Sequence, residues 1–146
     1  MHIQCPNAWP AILCAVLLAA CSRTPPEQRL RESVDAMQAA IEAREVSGVR
    51  ERLAEDFIGP GGMDRRGAAR LAQATFMRHR NIGIAIVGPL DLSLQDTRAS
   101  VRFDAALSGG SGGLLPDDAR IYSVETGWRL EGDEWRLVSA TWKPRL

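Results

Sequence analysis

The sequence predicts an α+β domain in which N-terminal helices pack on a strongly curved antiparallel β-sheet. Apolar side chains recur every three or four residues between Leu30 and Phe76, then every second residue from Ile82 to the end. The helical part comes first and the strands follow in one run, an order in which helices cover one face of a sheet. The 146 residues suit a single domain, and 45% hydrophobic with 25% charged residues is a globular composition. Eighteen Lys+Arg balance eighteen Asp+Glu, with acids interspersed among the arginines along most of the chain. No nucleic-acid partner is expected from that balance, because such binding relies on clustered cations.

Residues 1–20 stand apart from the domain. They contain no Lys, Arg, Asp or Glu, and Ala11 to Ala20 is an unbroken apolar run. That run suits a secretory leader but is shorter than the roughly twenty residues needed to span a bilayer. Leu18-Ala19-Ala20-Cys21 closes it and resembles the lipobox of bacterial lipoproteins. The resemblance implies cleavage before Cys21, a thioether-linked diacylglycerol and an N-acyl chain on that residue, and so a membrane partner held through lipidated Cys21. Ser22, where inner-membrane lipoproteins carry Asp, implies a cell-envelope location on the periplasmic face of the outer membrane in a Gram-negative source. Cys5 and Cys14 fall in the removed leader, leaving Cys21 alone and no disulfide. Residues 21–28, with Pro25-Pro26, read as a lipidated tether before a domain spanning 29–146.

Each element has its own local signature. Leu30, Val34, Met37 and Ile41 form one side of an amphipathic helix beginning near Pro26. Ser47 and Gly48 are expected to interrupt it, with Val49, Leu53 and Phe57 continuing on a second short helix that ends before Gly59-Pro60-Gly61-Gly62. Asp64 reads as the N-cap of a third helix directing Leu71, Ala72, Thr75 and Phe76 inward, with Arg78, His79 and Arg80 at its C-terminal end. A long strand through Ile82, Ile84, Ile86, Leu90, Leu92 and Leu94 should bend at Gly88-Pro89. A turn over Gln95 to Arg98 leads to a strand carrying Ala99, Val101, Phe103, Ala105 and Leu107. A glycine-rich loop from Ser108 to Gly113 precedes a strand from about Ala119 to Leu130, and Gly132-Asp133 turns into the last strand, Trp135 to Trp142. Pairing Glu131 with Glu134 sets Leu130 opposite Trp135 and Trp128 opposite Leu137, and places Trp142 on the face away from Trp128.

From Leu30 to Trp142 this arrangement resembles the nuclear transport factor 2-like superfamily, with its cystatin-like cone, which also includes ketosteroid isomerases, scytalone dehydratase and polyketide cyclases. The residues that carry the resemblance are Leu53-Ala54-Glu55-Asp56-Phe57, the glycine-rich turn with Met63-Asp64-Arg65, and the hairpin from Gly127 to Leu137. The superfold hosts enzymes, carriers and assembly modules alike, so the resemblance implies a cone without specifying an activity.

Ketosteroid isomerase places an Asp base and a hydrogen-bond-donating Tyr in an apolar pocket, and the analogous residues to test first here are Asp56 and Tyr122. Asp104 and Glu125 alternate with apolar strand residues and are expected to face solvent. His79, between two arginines at a helix end, is a weaker acid/base candidate. With one histidine and one cysteine left after cleavage, no metal is expected, and no cofactor. Phe57, Met63, Phe76, Phe103, Tyr122 and Trp128 are the expected ligand-binding groups if the cone is open. Trp142 is the aromatic expected on the outer sheet face, where a homodimer would form. The favoured reading is a binding module for a small apolar ligand or a second envelope protein. An isomerase, dehydratase or cyclase using a pocket carboxylate, and a purely structural module with a filled cone, are the alternatives.

Overall fold

The computed structural model describes residues 23–110 and 118–145; the expected leader, Cys21 and the centre of the glycine-rich loop lie outside them. Helix α1 (Pro26–Glu42) starts with a proline whose fixed φ suits the first helical turn, which takes Pro26 to Gln28 out of the expected tether. It buries Leu30, Val34 and Ala40. The break after it falls at Ala43 to Glu45 rather than at Ser47-Gly48, with Arg44 at φ 56°. Ser47 and Gly48 instead lie inside α2 (Val46–Arg52). A Cβ on Gly48 would stand 3.2 Å from the Cβ of Ala40, so glycine is there to let α2 approach α1.

The second half of the expected second helix is a strand. Leu53, Ala54 and Phe57 are buried along β1 (Leu53–Ile58), which runs parallel to β5 (Glu134–Pro144) with Leu53 opposite Leu137. Spacings of four residues between Val49, Leu53 and Phe57 fit a helix equally well. The edge of β5 decides the matter by offering backbone partners that a helix would not use. The other strands are antiparallel as expected: β2 (Asn81–Gln95), β3 (Arg98–Gly110) and β4 (Asp118–Glu131) give a five-stranded mixed sheet in the order β1-β5-β4-β3-β2.

Between β1 and the third helix, a 3-10 turn (Pro60–Gly62) uses Gly61 and Gly62 at φ 68° and 77°. Asp64 then caps α3 (Arg65–Arg78), its Oδ1 accepting from the Gly67 N–H at 2.7 Å. Asp64→Ala is expected to lower stability by about 1 kcal/mol, measurable as a lower urea midpoint at unchanged slope.

Besides an irregularity in the parallel β1–β5 pair, two bulges in the antiparallel pairs shape the sheet. One lies between Val87 and Asp91, where Gly88 sits at φ 77°, as Gly88-Pro89 predicted. The other lies in β5: Trp128 pairs with Leu137, but Gly127 pairs with Ser139, leaving Val138 as the extra residue. The expected pairs Glu131 with Glu134 and Leu130 with Trp135 are present. Beyond Val138 the alternation inverts, so Ala140 is buried and Trp142, opposite Val124, points to the same face as Trp128. Trp142 therefore does not occupy the outer face on which a homodimer was expected.

The core lies between α1 and the inner sheet face, where Leu30, Val34, Leu53, Phe57, Val101, Trp128, Trp135, Leu137 and Ala140 form one cluster. Ala40, Val49 and Phe76 form a second under α2 and α3. Thr126 and the two buried indoles are partnered, while Arg29 Nε is buried without a partner among the described residues. Thr126 donates to the Val101 carbonyl and accepts from Trp128 Nε1, at 3.0 and 2.9 Å, and Trp135 Nε1 donates to the Pro26 carbonyl. At the far end of α1, the Glu42 carboxylate accepts from the Ile84 N–H at 2.9 Å and ties the helix to β2.

Candidate functional site

Strand pairing determines which side chains meet beneath α1. Ile84 lies opposite Leu107, Ile86 opposite Ala105, Ala105 opposite Tyr122 and Phe103 opposite Val124. Cross-strand partners share a face, so these residues form a patch that α1 covers with Val34, Met37, Gln38 and Ile41. A cavity of about 130 Å³ remains between them, also walled by Phe103, Thr126, Trp128 and Leu137. Its two polar linings are already engaged: Gln38 Nε2 donates to the Ile84 carbonyl at 2.8 Å, and Thr126 makes the bonds described above. The space is therefore apolar in chemistry as well as in lining.

An open cleft of about 570 Å³ adjoins this cavity, sharing Ile41, Ile84 and Leu107 with it. Its rim is formed by Thr75, Arg78 and His79 at the end of α3, Arg120 and Tyr122 on β4, and Trp142 on β5. His79 fits because Gly109 has no side chain: a Cβ there would stand 2.9 Å from the imidazole Nδ1. Trp142 is 40% exposed, an indole at the mouth of the cup. Together the two spaces reach the size of ordinary small-molecule sites, about 300–1,000 Å³. No carboxylate lines either of them among the described residues.

The expected site residues separate into two groups. Phe103 and Trp128 line the inner cavity and Tyr122 lines the mouth. Phe57 and Phe76 are core packing, and Met63 lies half-buried against Gly59 and Gly67; none of the three reaches the cavity or its mouth. For Phe57 the reason is the strand conformation of β1, which directs the ring into the main core. Ile41, Ile84 and Leu107 line the cavity and its mouth without having been named as site residues from sequence, and Trp142 was expected on the outer sheet face instead. Helical period marked Ile41, and strand alternation Ile84 and Leu107, as inward-facing, whereas only the Val138 bulge brings Trp142 to them.

Asp56 is not in the cup. Its side chain is 67% exposed and paired with Arg129, whose two terminal nitrogens donate to its oxygens at 3.0 and 2.8 Å, while Glu131 accepts from the same guanidinium at 2.6 Å. The hydrogen bonds from Arg129 hold the Asp56 carboxyl below its usual range, outweighing the opposing effect of partial desolvation. In turn, Asp56 and Glu131 raise the Arg129 guanidinium. A carboxylate lowered in this way is a weak base, and it lines a different cleft from Tyr122. Asp104 and Glu125 face outward as expected, Asp104 with Ser123 and Arg145, and Glu125 with Arg102. Among the described residues no three His, Cys, Asp or Glu side chains gather as a metal would require. No described helix is long and apolar enough to cross a membrane.

No protein-family model matches the chain, and no curated protein is similar to it in sequence. Solved structures are similar in fold. A candidate scytalone dehydratase from Novosphingobium aromaticivorans superposes with a TM-score of 0.74 at 10% identity, covering 82% of this chain and 84% of that one. A nuclear transport factor 2 superfamily protein from Salmonella enterica gives 0.69 at 14% identity, covering 82% and 91%. A Bdellovibrio bacteriovorus protein gives 0.72 at 13% identity over 81% of this chain, which spans 41% of that longer protein. At these identities the likeness establishes the fold: α+β, cystatin-like and nuclear transport factor 2-like, with three helices on a mixed five-stranded sheet.

Proposed function

We propose that this chain is a lipid-anchored envelope protein whose nuclear transport factor 2-like domain binds a small apolar molecule between α1 and the sheet. The observation that carries the reading is the pair of adjoining spaces, an apolar inner cavity and an open mouth, with no described carboxylate in either. An apolar ligand would displace poorly held water from the apolar inner cavity, and Trp142 at the mouth would close over its exposed end. Isomerase or dehydratase chemistry needs a positioned proton acceptor beside the substrate. Asp56, the first candidate for that role, is engaged with Arg129 outside the cup.

The test is mass spectrometry of protein purified from the membrane fraction of its source or of an expressing bacterium. The expected result is a mature N-terminus at Cys21 carrying acyl mass, together with an apolar small molecule retained at about one per chain. An unmodified chain beginning at Met1 would overturn the anchor. Protein free of any retained apolar compound, and without affinity for apolar fluorescent probes, would overturn the binding role.

A further inference from the structure

We propose that the outward face of α3 docks on an anionic phospholipid surface. The chain's balance of 18 basic and 18 acidic residues is locally broken here: Arg65, Arg66, Arg70, Arg78 and Arg80 follow one another with no Asp or Glu between Asp64 and Asp91. The helix turns Phe76 inward, with Ala68 and Ala72 packed beside the core, which leaves Arg66, Arg70 and Arg78 outward. Arg66 and Arg70 form no ion pair with a described residue. Among these cations stand Met77, 80% exposed, and Leu71, which is 46% exposed rather than turned inward as its spacing suggested. Guanidinium groups that reach phosphate while neighbouring apolar side chains enter the acyl boundary are the combination an interfacial helix uses. A nucleic-acid backbone would match the charge but would gain nothing from Met77 and Leu71, so the lipid surface is the better fit.

The position of α3 in the fold supports this occupant. Arg65 at the start of α3 donates to the Arg50 carbonyl, Arg136 on β5 donates to the adjacent Glu51 carbonyl, and Trp135, next to Arg136, donates to Pro26 at the start of α1. The two helices therefore begin at the same end of the domain. Cys21 is five residues before Pro26, a span of at most about 17 Å of extended chain. A bilayer holding that cysteine would lie within reach of the arginines. The inference goes beyond the apolar-ligand reading, and its test uses unacylated protein, so failure of the lipid anchor and failure of α3 docking are read separately.

The experiment is flotation of the full-length chain, made by cell-free synthesis without acylation, with vesicles of phosphatidylcholine alone or mixed with phosphatidylglycerol. The apolar leader contributes to both vesicle types, so the comparison isolates charge. Partition onto the anionic vesicles is expected to be at least tenfold stronger, and to lose that advantage when NaCl is raised from 0.1 to 0.5 M. Arg66→Gln combined with Arg70→Gln should weaken it tenfold or more, at about fivefold per arginine. Leu71→Gln with Met77→Gln should weaken it at constant charge, and Arg102→Gln on the outer sheet face should leave it unchanged. Equal melting temperatures would establish that the variants are folded. Wild-type partition by the double arginine variant, or no preference for anionic vesicles, would overturn the proposal. So would selective binding of a short RNA without vesicle binding, which would assign the arginines to a nucleic acid.

Discussion

Trp128→Ala is expected to destabilise the domain by about 3–5 kcal/mol, the range for truncating a large buried aromatic. The indole is 3% exposed and belongs to the main core cluster with Leu30, Val101, Trp135 and Leu137. Its removal would leave a void between α1 and the sheet and take away the donor that satisfies Thr126, itself buried and bonded to Val101. For a domain of this size the loss corresponds to a fall in melting temperature of roughly 12–30 °C. Calorimetry of wild type and variant measures it, with Tyr122→Phe at the cup mouth as the contrasting variant expected to melt near wild type. A shift below about 5 °C would mean that Trp128 is a ligand-facing group more than a core one.

Ala105→Phe is expected to abolish apolar-ligand binding while leaving the fold in place. Ala105 is 3% exposed and lines the inner cavity, opposite Ile86 on one neighbouring strand and Tyr122 on the other. A phenyl group added there would occupy much of the 130 Å³ space that the ligand would otherwise fill. The cost of overpacking is about 1–3 kcal/mol, less than a domain's usual margin of about 5–15 kcal/mol. Affinity for an apolar probe, followed by its fluorescence and by quenching of Trp142, should fall by a hundredfold or more. Unchanged affinity in a folded variant would place the ligand elsewhere and remove the main support for the binding role.

The N-terminal helix, the Asp64 cap and the hairpin around Gly132-Asp133 are legible in the sequence, because each is written in side chains a few residues apart. The hairpin is the clearest case: pairing Glu131 with Glu134 fixed the partners of Leu130 and Trp128, and both appear in the sheet. The bend at Gly88-Pro89 was similarly legible, since a glycine at positive φ beside a residue with no N–H cannot continue a regular ladder. Of the residues expected to line an open cone, Phe103, Tyr122 and Trp128 do line the cavity or its mouth. Phe57, Met63 and Phe76 pack away from it, and residue type does not distinguish a large apolar side chain that lines a space from one that fills it.

By itself the sequence determined where the run of antiparallel strands begins and which faces of β2, β3 and β4 turn inward, because the spacing of apolar side chains is a local quantity and matches the repeat of the backbone that carries it. The tertiary structure alone decided that Leu53–Ile58 is a strand, that Gly48 is a contact rather than a break, and that Trp142 stands at the cup mouth while Asp56 lies outside it. Each of those outcomes depends on a partner distant in the chain. The edge of β5 captured β1, Ala40 required a bare backbone at Gly48, Arg129 held Asp56, and the extra residue at Val138 inverted every side chain beyond it.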